Sequence, residues 1–61
     1  KYTLVCDIDD AKNVLSKLKT YEIEVTNIEY SSEVKFDIKI SETETNKLKL
    51  LGDNIRIIKN G

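Results

Sequence analysis

An uninterrupted alternation of apolar and polar residues runs from Val34 to Ile40. Val34, Phe36, Ile38 and Ile40 occupy one parity, and Lys35, Asp37 and Lys39 occupy the other. Successive side chains of a β-strand point to opposite faces of the sheet, so this period of two places the apolar residues together. The pattern predicts a strand with one buried face and one solvated face.

The segment before this strand also alternates, but in two halves. Ile23 and Val25 share one parity, whereas Ile28 and Tyr30 share the other. A single extra residue, a β-bulge, would restore a common face, and we expect it near Thr26–Asn27. The polar residues Ser31-Ser32-Glu33 supply a turn. The segment Ile23–Ile40 is therefore predicted to be a β-hairpin.

A helical period precedes the hairpin. Apolar residues recur at i, i+3, i+4 and i+7, at Ala11, Val14, Leu15 and Leu18. Asp7 or Asp9 is the expected N-cap, because a carboxylate there accepts from free backbone N–H groups and favours the helix dipole. The helix is expected to end near Thr20–Tyr21.

A second, shorter helix is predicted after the hairpin. Ser41 and Glu44 have the spacing of a capping box, in which two side chains satisfy backbone donors reciprocally. Leu48 and Leu51 form its apolar stripe. Gly52 follows, where a helix end commonly needs a positive φ. Strands are predicted at Tyr2–Cys6, before the first helix, and Asn54–Lys59, after the second.

The element order β-α-β-β-α-β predicts an α+β, ferredoxin-like domain. A four-stranded antiparallel sheet would carry both helices on one face, with the first and third strands central. Residues 1–61 are predicted to form this single domain. The expected core is Leu4, Leu15, Leu18, Ile23, Phe36, Ile38, Leu48 and Ile57.

Composition changes this interpretation only slightly. The chain has no methionine and begins at Lys1, so we expect a domain excised from a longer protein. Its net charge of −1 is not the basic signature of nucleic-acid-binding proteins. The single cysteine, Cys6, cannot form an internal disulfide, which favours a reducing, cytoplasmic compartment. No apolar run approaches the roughly 20 residues of a membrane span, so direct membrane insertion is not expected.

Candidate catalytic and metal-binding groups are few. Asp7-Ile8-Asp9, after a strand, resembles the nucleophile loop of haloacid-dehalogenase-type phosphatases, but the chain is too short for the other residues of that site. Helix capping is the favoured interpretation, and a metal site of Asp7, Asp9 and Asp10 is the alternative. Cys6 has no histidine to activate it and is expected to be buried. We therefore predict no enzyme activity, no cofactor and no metal site.

The uncovered face of the sheet is the predicted binding surface. Its candidate residues are Thr3, Val5, Lys35, Lys39 and Arg56, with Asp37 and Ile58 alongside. Sheets that bind RNA in this fold stack bases on exposed aromatic residues, but Phe36 has the parity of the core. A solvated charged face is the favoured interpretation, and a weak RNA-binding module is the alternative.

The hairpin also resembles a known family. Val25–Ile40 is similar to the C-terminal domain of the YigZ/IMPACT family, with Tyr30, Val34, Phe36, Ile38 and Ile40 in matching places. That resemblance implies a ferredoxin-like domain like the last domain of elongation factor G, attached to a larger N-terminal domain and linked to translation. The end of the chain, Ile55–Gly61, also looks like the fourth strand of the soluble N-terminal region of YqfD-type sporulation proteins, which implies a membrane tether.

These observations together predict a non-catalytic accessory domain of a larger, translation-linked regulatory protein. Its expected partner is the rest of its own chain or another protein. Weak RNA contact, or a place in a membrane-anchored sporulation-type protein, is the alternative.

Overall fold

The computed structural model describes residues 1–52 and 54–60. Asp53 and Gly61, which the predicted domain includes, lie outside the described residues. The elements are β1 (Tyr2–Asp7), a 3₁₀ turn (Ile8–Asp10), α1 (Ala11–Thr20), β2 (Glu24–Tyr30), β3 (Glu33–Lys39), a 3₁₀ helix (Glu42–Leu51) and β4 (Arg56–Lys59).

The strands form one antiparallel sheet in the order β2-β3-β1-β4. With its two helices, the fold belongs to the α+β class, as the alternation and helical periods predict. The prediction that the first and third strands are central is confirmed, since β1 lies between β3 and β4. Leu4 of β1 has Phe36 of β3 on one side and Ile57 of β4 on the other.

The predicted bulge is present in β2. The register against β3 shifts between Val25 and Asn27, so Val25 lies opposite Ile38 whereas Asn27 lies opposite Asp37. Thr26 is the extra residue, and its hydroxyl donates to the backbone carbonyl of Asp37 at 3.1 Å. This contact holds the bulge against the neighbouring strand.

One apolar cluster between the sheet and the helices forms the core. Leu4, Leu18, Ile23, Phe36, Ile38 and Leu48 are buried as predicted, and Leu15 packs against the cluster while partly exposed. The prediction for Ile57 is wrong, because its side chain is 43% exposed. Ile57 lies on an edge strand of only four residues, which has β1 on one side and no strand on the other among the described residues.

The second helix has 3₁₀ geometry along its whole length, Glu42–Leu51. Residues three apart lie above one another in such a helix, and Thr45, Leu48 and Leu51 have that spacing. Leu48 and Leu51 are buried and Thr45 is half-buried, so one narrow stripe contacts the core. Ten residues of 3₁₀ helix span about 20 Å, against about 15 Å for an α-helix, which lengthens this connection between β3 and β4.

Both predicted side-chain caps are wrong. Asp7 and Asp10 precede the 3₁₀ turn and α1, respectively, and neither accepts a capping hydrogen bond, while Asp9 lies inside the turn. Helix formation begins early here, since the Ala11 N–H donates to the Ile8 carbonyl. The second helix likewise has no side-chain cap at Ser41.

The predicted need for a positive φ at Gly52 is confirmed. Gly52 ends the 3₁₀ helix with φ 122° and ψ 171°, a conformation that residues other than glycine rarely adopt. A Cβ added there would meet nothing within 4 Å. Any cost of a side chain at this position therefore comes from the backbone alone.

We expect Gly52→Ala to lower the free energy of unfolding by about 1–3 kcal/mol, the usual cost of this backbone region for an L-residue. Urea denaturation followed by circular dichroism measures the change. A synthetic chain with D-alanine at position 52 is the matched control, because this conformation is the mirror image of extended backbone. Equal destabilisation by both enantiomers would show that the methyl group, and not the φ angle, is responsible.

Candidate functional site

The predicted binding surface lies on the side of the sheet opposite the helices. We define the open face as Thr3 and Val5 of β1, Lys35, Asp37 and Lys39 of β3, and Arg56 and Ile58 of β4. The strand register places Thr3 between Asp37 and Ile58, and Val5 between Lys35 and Arg56. The sheet therefore brings the predicted residues of three strands into adjacent rows.

In the first row, the Thr3 side chain forms hydrogen bonds with the side chains of Asp37 and Asn60. The Asn60 amide donates to the Thr3 hydroxyl at 2.6 Å, and that hydroxyl donates to a carboxylate oxygen of Asp37 at 2.9 Å. The relay spans the two central strands and the residue after β4. Sequence patterning does not indicate it, because Asn60 and Asp37 are distant from Thr3 along the chain.

Arg56, the strongest candidate for an anion contact, already has a partner. One terminal nitrogen, Nη2, donates to both carboxylate oxygens of Glu33, at 2.9 and 3.0 Å. Glu33 was predicted to lie in the hairpin turn, but it is the first residue of β3. Its carboxylate consequently faces Arg56 across β1. This ion pair is solvent-exposed, so its effect on stability is small.

The two lysines of the open face also have acidic neighbours. Lys35 lies opposite Glu29 of β2, and Lys39 lies opposite Glu24 of the same strand. Opposite charges on facing residues of antiparallel strands attract each other. Arg56 is therefore ion-paired, and each lysine has a glutamate as its cross-strand neighbour, although neither lysine forms an ion pair among the described residues.

Val5 lies in the middle of the open face but is only 2% exposed. It is absent from the core cluster on the helix side, to which its neighbours Leu4 and Cys6 belong. Its cross-strand neighbours are Lys35 and Arg56, whose long aliphatic stems are suited to covering an apolar side chain. Val5 packs within the face and does not present a contact surface to a ligand.

Cys6 is buried in the core, as predicted, with 2% of its surface exposed. Burial raises the pKa of its thiol, and the carboxylates of Asp10, Asp7 and Glu33 raise it further. The thiolate is the nucleophilic form of cysteine, and both effects disfavour it. The surroundings of Cys6 are those of a packing residue.

No group of three or more histidine, cysteine, aspartate or glutamate side chains is placed to hold a metal ion within residues 1–52 and 54–60. The aspartates Asp7, Asp9 and Asp10, the predicted alternative metal site, are not brought together in such a group. In the same residues, no polar or charged side chain is buried. No helix among them is long and apolar enough to cross a bilayer.

A cleft of about 420 Å³ lies at one end of the sheet, where the start of β2, the end of β3 with Lys39 of the open face, and the start of the 3₁₀ helix meet. No pattern in the sequence indicates this cleft. It is lined by Glu22, Ile23, Glu24, Lys39, Ile40, Ser41 and Glu44. Its charged residues are surface groups, and Glu44 forms an ion pair with Lys47 at 2.8 Å. The cleft contains no reactive combination of side chains.

Comparison with known proteins assigns no relative. No family model matches the chain, and no curated protein or solved structure matches it. The resemblances to the YigZ/IMPACT and YqfD families stay predictions from the sequence.

Proposed function

We propose that this chain is a non-catalytic accessory domain of a larger, translation-linked regulatory protein of the cytoplasm. Its fold would be ferredoxin-like, and the element order βαββαβ supports this assignment. Its role would be to contact another protein or another part of its own chain. The resemblance of Val25–Ile40 to the YigZ/IMPACT C-terminal domain supports the link to translation.

The observation that carries the proposal is the charge compensation of the open face. An RNA-binding surface holds phosphates with free cations, and each neutralised phosphate makes affinity fall with salt. Here Arg56 is paired with Glu33, and the lysines lie opposite glutamates. RNA-binding sheets also need exposed aromatic residues for base stacking, whereas Phe36 is buried in the core. Both features favour a protein contact over a nucleic-acid contact.

Backbone amide shifts of the labelled chain, titrated with a short single-stranded RNA, test the proposal. We expect no saturable shifts in β1 or β3, even at about 20 mM salt, where exposed charges are poorly screened. Glu33→Gln is an informative variant, because it releases Arg56 without changing the size of the side chain. Weak, salt-sensitive shifts in that variant alone would show that pairing with Glu33 makes Arg56 unavailable.

The reversal Lys35→Glu with Lys39→Glu is the matched control. Neither lysine is buried, so the double variant is expected to stay folded. Saturable shifts in the unmodified chain that weaken with salt and vanish in this variant would overturn the proposal and establish the RNA-binding alternative.

A further inference from the structure

β4 presents an unpaired edge to solvent. The Asn60 N–H donates to the Lys1 carbonyl at 2.8 Å, and Thr3 lies opposite Ile58. Because hydrogen-bonding direction alternates along an antiparallel strand, Arg56 and Ile58 also direct their backbone groups towards β1. Ile57 and Lys59 therefore direct their N–H and C=O groups outward. No other strand among the described residues forms hydrogen bonds with these outward N–H and C=O groups.

The edge also carries one exposed isoleucine on each side of the sheet. Ile57, on the helix side, is 43% exposed, and Ile58, on the open face, is 48% exposed. A strand added beside β4 would cover both isoleucines and satisfy the outward backbone groups. The opposite edge is different, because the register of β2 is interrupted by a bulge between Val25 and Asn27, whereas β4 pairs with β1 without a shift. A bulge is one of the usual protections of an edge strand against strand addition.

We propose that the β4 edge binds the β4 edge of a second copy of this chain, in an antiparallel pair with two-fold symmetry. Centring the pair on Ile57 places each Ile57 next to Ile57 of the other copy, on the helix side of the sheet. The outward groups of both residues then bond each other. On the open face, Arg56 lies opposite Ile58 of the second copy.

The charges of β4 favour this register. Its cations, Arg56 and Lys59, face Ile58 and Ile55 of the second copy, so no positive charge faces another. A shift of the centre to Arg56 or to Lys59 would place identical cations opposite each other. A centre at Ile58 would bring together residues whose own backbone groups point towards β1, so its central pair would form no hydrogen bond across the edge. Self-pairing centred on Ile57 therefore gives a hydrogen-bonded central pair and sets one exposed isoleucine against its own copy, while Arg56 lies opposite Ile58.

This inference deepens the proposed function and rests on it only in treating the domain as a protein-contact module. The contact is small, below the roughly 1,200 Å² of stable interfaces, so we expect a dissociation constant on the order of 0.1–1 mM. Sedimentation equilibrium of the chain from about 20 μM to about 2 mM, a range that brackets this value, measures it. The expected result is a reversible monomer–dimer equilibrium.

Two variants locate the contact. Lys59→Pro removes an outward N–H but no bond to β1, and it leaves both isoleucines in place. Its matched control, Lys59→Ala, keeps the N–H. We expect the proline variant to lose at least about tenfold in affinity, as for the loss of well-placed hydrogen bonds, and the alanine variant to dimerise normally. Circular dichroism checks that the monomer is folded.

If the proline variant unfolds, Ile57→Lys tests whether the dimer forms through the β4 edge. It keeps every backbone group, alters an exposed side chain and places two positive charges side by side in the dimer. Dimerisation lost in this variant supports the proposal. A chain that stays monomeric at the highest concentration overturns it, as does a dimer that Ile57→Lys leaves unchanged. Neither result bears on the RNA titration, so the accessory role and the edge contact fail separately.

Discussion

Replacing Phe36 with alanine is expected to unfold most of this chain at 25 °C. Phe36 is 1% exposed and lies in the central strand β3, opposite Leu4 on one side and Ile28 on the other. Truncating a buried phenylalanine to alanine costs about 3–5 kcal/mol, because apolar contacts are lost and a cavity is left. A chain of this length has a total stability of only about 3–9 kcal/mol. The substitution removes a large part of it.

Thermal melting followed by circular dichroism measures this effect. Tyr30→Ala is the matched control, since Tyr30 is also an aromatic residue of the hairpin but is 65% exposed. We expect the control to change stability by less than about 0.5 kcal/mol, as is usual at exposed positions. A cooperative melt of Phe36→Ala near that of the unmodified chain would contradict the placement of Phe36 in the core.

Alkylation of Cys6 by iodoacetamide is expected to be at least about 100-fold slower in the folded chain than in denaturant, because the buried thiol reacts only after the core opens. Phe36→Ala should raise the rate towards the denatured value, and Tyr30→Ala should not. A native rate equal to the denatured rate would show that Cys6 is accessible, contrary to its 2% exposure.

The raised pKa of Cys6 also predicts a pH dependence of stability. The folded state holds the thiol proton more tightly than the unfolded state, so stability is complete below the ordinary thiol value of 9.0 and falls as pH rises through the folded-state value. Cys6→Ala should remove this fall. Comparing urea denaturation of the two chains between about pH 7 and pH 10 isolates it from tyrosine ionisation, which both share. If the free energy of unfolding of the two chains depends on pH in the same way, Cys6 makes no such contribution.

The elements with a regular period were predictable from sequence. The alternation of Val34–Ile40 placed β3 with one buried face, and the change of parity within β2 located the bulge at Thr26. Both signals show which side chains are buried in the core, and the burial of apolar surface is the dominant favourable contribution to the folding of these segments. Ile57 shows the limit, since its parity is correct but an edge position leaves it exposed.

The polar contacts were not predictable, because each depends on competition among nearby partners. Ser41 has the sequence of a cap, yet its hydroxyl lies 3.1 Å from that of Thr43, and Glu44 pairs with Lys47. On the open face, the residues Thr3, Val5, Lys35, Lys39 and Arg56 were correctly placed on neighbouring strands. Their partner Glu33 was not foreseen, since the turn assignment placed it outside β3.

The bulge at Thr26 would also set how far the proposed assembly can grow. Strands that add to both edges of a sheet build an open filament, whereas a two-fold pair through one edge is closed. In a pair joined through β4, the outer boundaries on both sides are β2 strands, with Glu24, Glu29 and the irregular register at Val25–Asn27. The bulge in β2 would therefore limit the proposed assembly to two copies of the chain.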